Sequence, residues 1–370
     1  MEPKRIESDD EWRIIEALLP TGWREEAREQ KAFRRARYIQ DPGDVLRLLL
    51  FHAVNAGGLR DTVVQASVAG LASMSDVALL KRMRTSVSWL RWIASELCGA
   101  FRDRPRLPGG LRLRAVDSTT IEGPANTTSE WRLHYTLDLQ TLECDWHELT
   151  STQVAEALER APVSPGDVLI GDRNYLRADG VRAVVQLGGH VLVRTRWNPR
   201  CFVDGDGNDV AVLPLVRRLR VGRVGQWPIS IQATDGTPIP GRIVAIKLPK
   251  PVADRAVRRL KRRAAKQQRR LDARSIEAAQ YVVLFTTLPQ GLLDAQGVAD
   301  LYRFRWQIEF AFKRLKQLLR IGQLPHRDPA AAQSWILSKV IVALLLELLY
   351  RRSTAISPWA YRFEELARAA

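Results

Sequence analysis

The sequence predicts an α/β protein whose sheet begins after residue 106, follows a helical region and is interrupted by a β-rich block. Three observations lead there. Residues 1–105 repeat apolar side chains at helical spacing. After Pro108, three segments alternate apolar and polar residues, and strand-like and helix-like runs then take turns. Residues 196–290 combine β-forming runs with one stretch of concentrated positive charge.

In the first region, Asp9 and Asp10 precede Trp12, Ile14, Ile15, Leu18 and Leu19, the pattern of a cap followed by an apolar stripe. A second helix is expected over 44–55, stopped by Gly57 and Gly58. Helices over 61–69 and 76–86 follow, with a break at 70–75 and Lys81, Arg82 and Arg84 on an exposed face. That pair suits a helix-turn-helix reading DNA, and equally a plain bundle. Residues 1–105 are assigned as a helical DNA-binding domain.

Strands are expected over 111–120, 131–139 and 143–150, as an antiparallel meander whose last two members are joined by Gln140-Thr141-Leu142. A helix over 154–160, a strand over 168–171, a helix over 179–187 and a strand over 190–195 complete the first part of a core, 106–195. The block 196–290 carries a turn cluster at 204–209, strands over 226–233, 241–248 and 281–288, and a basic helix between the last two. The second part of the core, 291–350, is helical from about 296 to 320. It breaks at Gly322 and Pro325, then resumes as an apolar helix over 332–350; 351–370 is a tail.

The chain has 370 residues, with 57 Lys plus Arg against 41 Asp plus Glu, a net charge of +16. Ten basic and two acidic residues fall within 251–275, so half of the surplus sits in one segment. Such a concentration is the footprint of a surface that meets phosphates. The segment lacks the large apolar face that an interfacial helix presses into lipid, which favours nucleic acid over membrane. A composition of 46% apolar and 26% charged residues excludes disordered, fibrous and disulfide-scaffold classes. Cys98, Cys144 and Cys201 are far apart, without a CxxC pair or a histidine cluster nearby, which argues for a reducing compartment and against structural zinc. The N-terminus has no secretory h-region, and the apolar run 336–350, interrupted by Lys339 and Glu347, falls short of the ~20 residues of a membrane span. A cytoplasmic protein is expected. The phosphate-loop motif GxxxxGK[ST] is absent from the sequence, and the calcium-like run from Asp204 to Asp209 lacks the loop's glycine and bidentate acid, so it reads as a hairpin turn.

Chemistry is expected on the helix over 302–316. Tyr302, Arg305, Glu309 and Lys316 share one face at about 100° per residue, bordering a stripe of Leu301, Phe304, Ile308, Phe312, Leu315 and Leu319. Glu309 there suits a half-desolvated metal ligand flanked by phosphate-binding cations; an ordinary salt-bridged surface row has the same spacing. Two further acids stand at strand ends: Asp117 within Ala-Val-Asp-Ser-Thr, and Asp172 within Gly-Asp-Arg-Asn-Tyr, next to Arg173. On adjacent parallel strands, both would emerge at one sheet edge. Glu122, Asp167 and Asp179 lie nearby but suit turns and caps better.

These residues resemble the signature of DDE-type insertion-sequence transposases of the insertion sequence four group. The shared features are the two Asp motifs, Y-x2-R-x3-E-x6-K at Tyr302, Arg305, Glu309 and Lys316, and spacings of 55 residues (117 to 172) and 137 (172 to 309). The resemblance implies a ribonuclease-H-like core with a β-rich insertion between the second Asp and the Glu. It further implies two Mg²⁺ ions on Asp117, Asp172 and Glu309, with Mn²⁺ as a substitute, and Mg-dependent cleavage at transposon ends followed by strand transfer into target DNA. Tyr302, Arg305, Lys316 and Arg173 would contact DNA. Tyr281 stands where that group often has a Trp that stacks on a flipped base. A homodimer on double-stranded DNA carrying terminal inverted repeats, associated with the bacterial nucleoid, is implied as well. The alternatives are a non-catalytic DNA-binding relative and a two-metal structure-specific nuclease.

Overall fold

The computed structural model describes residues 6–354 except 35–38, 56, 101–105, 125–128, 200 and 323. Its centre is a sheet made of β1 (Arg112–Glu122), β2 (Ser129–Asp138), β3 (Cys144–Ser151), β4 (Asp167–Gly171), β5 (His190–Arg194), β6 (Phe202–Val203), β7 (Val224–Gln232), β8 (Pro238–Lys247) and β9 (Tyr281–Thr286). In space the order is β3-β2-β1-β4-β5-β9-β8-β7-β6. The meander β1-β2-β3 is antiparallel, β4 and β5 run parallel to β1, and β9, β8, β7 and β6 add antiparallel strands beyond β5. Every residue of β4 is buried, as expected of a parallel strand covered on both faces. The strands of the β-rich block therefore extend the same sheet, with β9 hydrogen-bonded between β5 and β8.

Helices α1 (Ile6–Glu16), α2 (Trp23–Glu29), α3 (Pro42–Val54), α4 (Leu59–Val68), α5 (Asp76–Thr85) and α6 (Val87–Gly99) precede the sheet. Then come α7 (Ala178–Gln186), α8 (Val212–Val216), α9 (Lys250–Lys266), α10 (Ala273–Ala278), α11 (Ala295–Arg303), α12 (Gln307–Gln317) and α13 (Pro329–Thr354). Helix α13 has the length and apolarity of a membrane span, yet it packs against α3, α5 and α6 and shares one apolar core with the N-terminal helices, β1, β2 and α12. The two charges in its middle, Lys339 and Glu347, are used internally. The Lys339 ammonium donates to the Leu319 carbonyl, and the Glu347 carboxylate accepts from the Cys144 amide.

Several expected elements differ. The described part of helix α1 begins at Ile6, so Asp9 and Asp10 lie within the helix and not ahead of it. Helices α2 and α6 were not anticipated. Arg82 is half-buried, donating to the Ala32 carbonyl and lying over the Phe33 ring, and Arg84 pairs with Asp328. Of the helix expected over 154–160 only a 3-10 turn, Leu158–Arg160, forms; Ala157 is extended, and Glu156 is held away by side-chain bonds from Ser118 and Asn174. The basic segment is two helices. Helix α9 ends before Gln268, which adopts a left-handed φ of 49°, and Asp272 caps α10. The 204–209 cluster is a turn in which the Asp204 carboxylate accepts amides of Asp206 and Asn208. Residues 355–370 of the expected tail lie outside the described residues.

Candidate active site

The first two acids are brought together by strand register. Strands β1 and β4 are adjacent and parallel, with Ala115 opposite Ile170, so two residues further along Asp117 comes abreast of Asp172.

Helix α12 supplies the third. Ile308, Ala311, Phe312 and Leu315 are buried, and Phe312 meets Tyr135 of β2 edge to face at 5.6 Å. Burial of this kind is worth roughly 1.5–3 kcal/mol per large side chain and fixes the helix over β1 and β2. Glu309 is reached through Arg305. One guanidinium nitrogen lies 3.6 Å from the Asp117 carboxylate and the other donates to Glu309 at 2.6 Å.

The helix over 302–316 is not continuous, however. Helix α11 ends at Arg303 and a 3-10 turn, Phe304–Trp306, separates it from α12. That turn breaks the 100° progression. Phe304 leaves the buried stripe for solvent, and the Glu309 side chain is 61% exposed instead of half-desolvated.

Burial pushes the Asp117 carboxyl up to about 7, with the charges of Asp172 and Glu156 adding to the rise and Arg305 opposing it. Glu156 is a fourth carboxylate at this site that sequence reading missed. It sits in an irregular loop with no motif, accepting from Ser118 Oγ at 2.6 Å and Asn174 Nδ2 at 3.2 Å. Tyr302 lies beside Arg305, whose guanidinium carbon is 5.9 Å from the ring centre. Burial raises the Tyr302 phenol, and Asp172 is among the charges that act on it. Lys316 is exposed on the last turn of α12, two turns beyond Glu309.

A basic surface adjoins Asp172. The Arg173 guanidinium is lowered by burial and by the neighbouring charges of Arg263, Arg194 and Arg196, so the positive charge of α9 is felt at Arg173. A 680 Å³ groove runs between Arg132, Glu156, Arg173, Arg177 and Arg196. Trp306 and Phe310 are exposed beside Glu309, their rings edge to face at 4.5 Å. Exposed aromatics next to a charge row are a signal that the sequence offered and that was assigned to neither core nor site.

Two expectations need correction. Tyr281 is 5% exposed: it opens β9 on the face shared with Val283 and Phe285, and its ring is packed in the core, so it presents no stacking surface to a base. The cysteines are not isolated either, since Cys98, Cys144 and His147 converge. Asp167 and Asp179 have structural partners, Arg114 and Thr234.

Residues 108–345 match the family described as Transposase DDE domain. The putative transposase InsL for insertion sequence element IS186A of Escherichia coli (strain K12) is 33% identical over 358 residues, 95% of this chain and 97% of that relative. The transposase for insertion sequence element IS421 of Escherichia coli is 33% identical over 361 residues, again 95% of this chain and 97% of the relative. With a family match across most of its length and relatives aligned nearly end to end, the chain belongs to the DDE-type insertion-sequence transposases.

Proposed function

We propose that this protein is a metal-dependent transposase that cleaves DNA at the ends of its element and joins the freed ends to target DNA, with Asp117, Asp172 and Glu309 as its catalytic carboxylates. The observation that carries this reading is the bridge made by Arg305, whose guanidinium spans Asp117 and Glu309 while Asp117 faces Asp172 and Glu156. A cation already stands among these acids, and the all-oxygen donor set is the kind that Mg²⁺ takes, with Mn²⁺ as a substitute. Divalent ions held there supply activation of the attacking hydroxyl and stabilisation of the leaving oxygen.

The chain's own residues do the rest. Arg305 and Lys316 neutralise phosphates beside the scissile bond, and Tyr302 orients Arg305. Arg173, with Arg194, Arg196 and Arg263, gives the duplex a basic wall, which the groove and the +16 net charge support. Ser118 and Asn174 fix Glu156 and so keep its charge near Asp117. The spatial order β3-β2-β1-β4-β5 supports a ribonuclease-H-like core, with residues 196–290 as its insertion. Two copies bridging two terminal inverted repeats, acting on nucleoid DNA in the cytoplasm, fit this activity, as does membership of the insertion sequence four group.

The test is strand cleavage of duplexes bearing the element's ends with Mg²⁺. Asp117→Asn, Asp172→Asn and Glu309→Gln are each expected to abolish cleavage while DNA binding persists. Full activity in all three variants would overturn the assignment.

A further inference from the structure

Cys98 lies in the last turn of α6, and Cys144 and His147 lie on β3. The Sγ atoms of Cys98 and Cys144 are 3.6 Å apart, Cys98 Sγ is 3.2 Å from His147 Nδ1, and all three donor atoms lie within 4.8 Å of one another. We propose that Cys98, Cys144 and His147 form a site for a soft divalent transition metal, Zn²⁺ above all, that clamps α6 to β3.

Donor spacing supports it. Metal–sulfur and metal–nitrogen bonds of about 2.3 and 2.0–2.1 Å at tetrahedral angles set neighbouring donors roughly 3.5–3.8 Å apart, so the two sulfurs are already in place, and the imidazole, 3.2 Å from Cys98 Sγ and within 4.8 Å of Cys144 Sγ, completes the set by reorientation of the His147 side chain. A disulfide would need its sulfurs at about 2.05 Å and has no use for a ring nitrogen between strand and helix.

Strand geometry supports it as well. Residues 144 and 147 of a regular strand point to opposite faces. Strand β3 is not regular there: Thr136 pairs with Trp146 but Leu137 with Cys144, so an extra residue bulges at Asp145 and restores Cys144 and His147 to one face. The Cys144 amide is anchored by Glu347 of α13 at 3.2 Å, so the backbone of one ligand is set from a third element.

Access and stoichiometry fit an open, three-ligand site. A 390 Å³ cavity reaches Cys98 and His147 from the side of Glu159 and Arg160, room for the ion to enter and for a water as fourth ligand. Binding breaks two S–H bonds, forms two metal–sulfur bonds and releases two protons to solvent, with no change of oxidation state. Thiolate and imidazole donors select this site for zinc-class ions, whereas the carboxylates at Asp117, Asp172 and Glu309 suit Mg²⁺.

The experiment is Co²⁺ titration of full-length, reduced, chelator-treated protein in excess Mg²⁺, which keeps oxygen-donor sites occupied. One equivalent of Co²⁺ is expected to produce a thiolate-to-cobalt charge-transfer band and strong tetrahedral d–d bands, both removed by one equivalent of Zn²⁺. Cys98→Ser and Cys144→Ser should lose the charge-transfer band, and Cys201→Ser should keep it. Should the buried Ser variants not fold, His147→Gln, at a half-exposed position, is expected to weaken and reshape the bands. Zn²⁺ should likewise protect Cys98 and Cys144 of the unmodified protein from alkylation. Absence of the band from the unmodified protein, its persistence in folded Cys98→Ser, or a Cys98–Cys144 disulfide as the sole product with Zn²⁺ present would overturn the proposal.

Discussion

Asp117 carries a conflict between stability and chemistry. Its folded pKa of about 7 stands above the ordinary carboxylate value of 3.8. A raised carboxyl favours the folded state while protonated, so its contribution is complete below pH 3.8 and is lost as pH rises through 7. At pH 8 the folded protein therefore holds an unfavourable charge, at a cost on the order of 4 kcal/mol. Asp117→Asn removes it. In EDTA at pH 8 the variant is expected to melt higher than the unmodified protein in calorimetry, with the gap closing near pH 4; Mg²⁺ should then raise the melting temperature of the unmodified protein and leave the variant unmoved. A variant that melts lower at pH 8 would contradict the burial of this charge. At this scale the motifs singled out Asp117, Asp172 and Arg305, which the fold places near one another. It was silent on Glu156, which reaches the site only because Ser118 and Asn174 catch its side chain from a loop. It misled at Tyr281, where alternation along β9 puts the ring inside.

At the scale of elements, β1 is held by charges as much as by apolar packing. Arg112 pairs with Asp138 and Asp145 at 2.8 Å, and Arg114 pairs with Asp145 at 2.6 Å and Asp167 at 3.1 Å, all of them buried. These ties join β1 to β2, β3 and β4 at the end opposite the acids, so they set the register that aligns Asp117 with Asp172. Asp145→Ala would leave two guanidinium groups buried without their shared partner. A loss of about 3–5 kcal/mol in denaturant unfolding is expected, and a loss under 1 kcal/mol would show that the network is expendable. The longer strands were readable, because alternation and β-branched runs are local signals; the two-residue β6 was not. The 3-10 turn at Phe304–Trp306 and the bulge at Asp145 were not, since both are imposed by tertiary packing on sequences that read as regular helix and strand. That single bulge is also why Cys144-x2-His147 carries no metal signal by spacing alone.

Across the whole molecule, α13 unites the two ends of the chain. It packs on α3, α5 and α6, and just before it His326 meets His52 of α3, their Nε2 atoms 2.9 Å apart. Sequence reading found α3, α5 and α13 but not α6, and it could not see the histidine pairing, which depends on contacts 274 residues apart. Burial, then the nearby His326 and Lys339, lowers His52 from 6.5 to about 4. A depressed histidine contributes stability above pH 6.5 that is lost as pH falls toward 4. Thermal melts are expected to show that loss more clearly in the Asp117→Asn background, where one opposing titration is gone and that of Glu347, raised to about 7 by burial, remains constant between the variants compared; His52→Gln should flatten the slope between pH 6.5 and 4, and an unchanged slope would assign it elsewhere. The proposed chemistry requires Asp117, Asp172 and Glu309 to meet around common cations although 192 residues (117 to 309) separate the first from the last. Anomalous diffraction from crystals of the protein bound to duplex DNA with Mn²⁺ tests this most directly. Manganese peaks ligated by all three carboxylates are the expected result; peaks that leave Glu309 unligated, or none near Asp117 and Asp172, would contradict it.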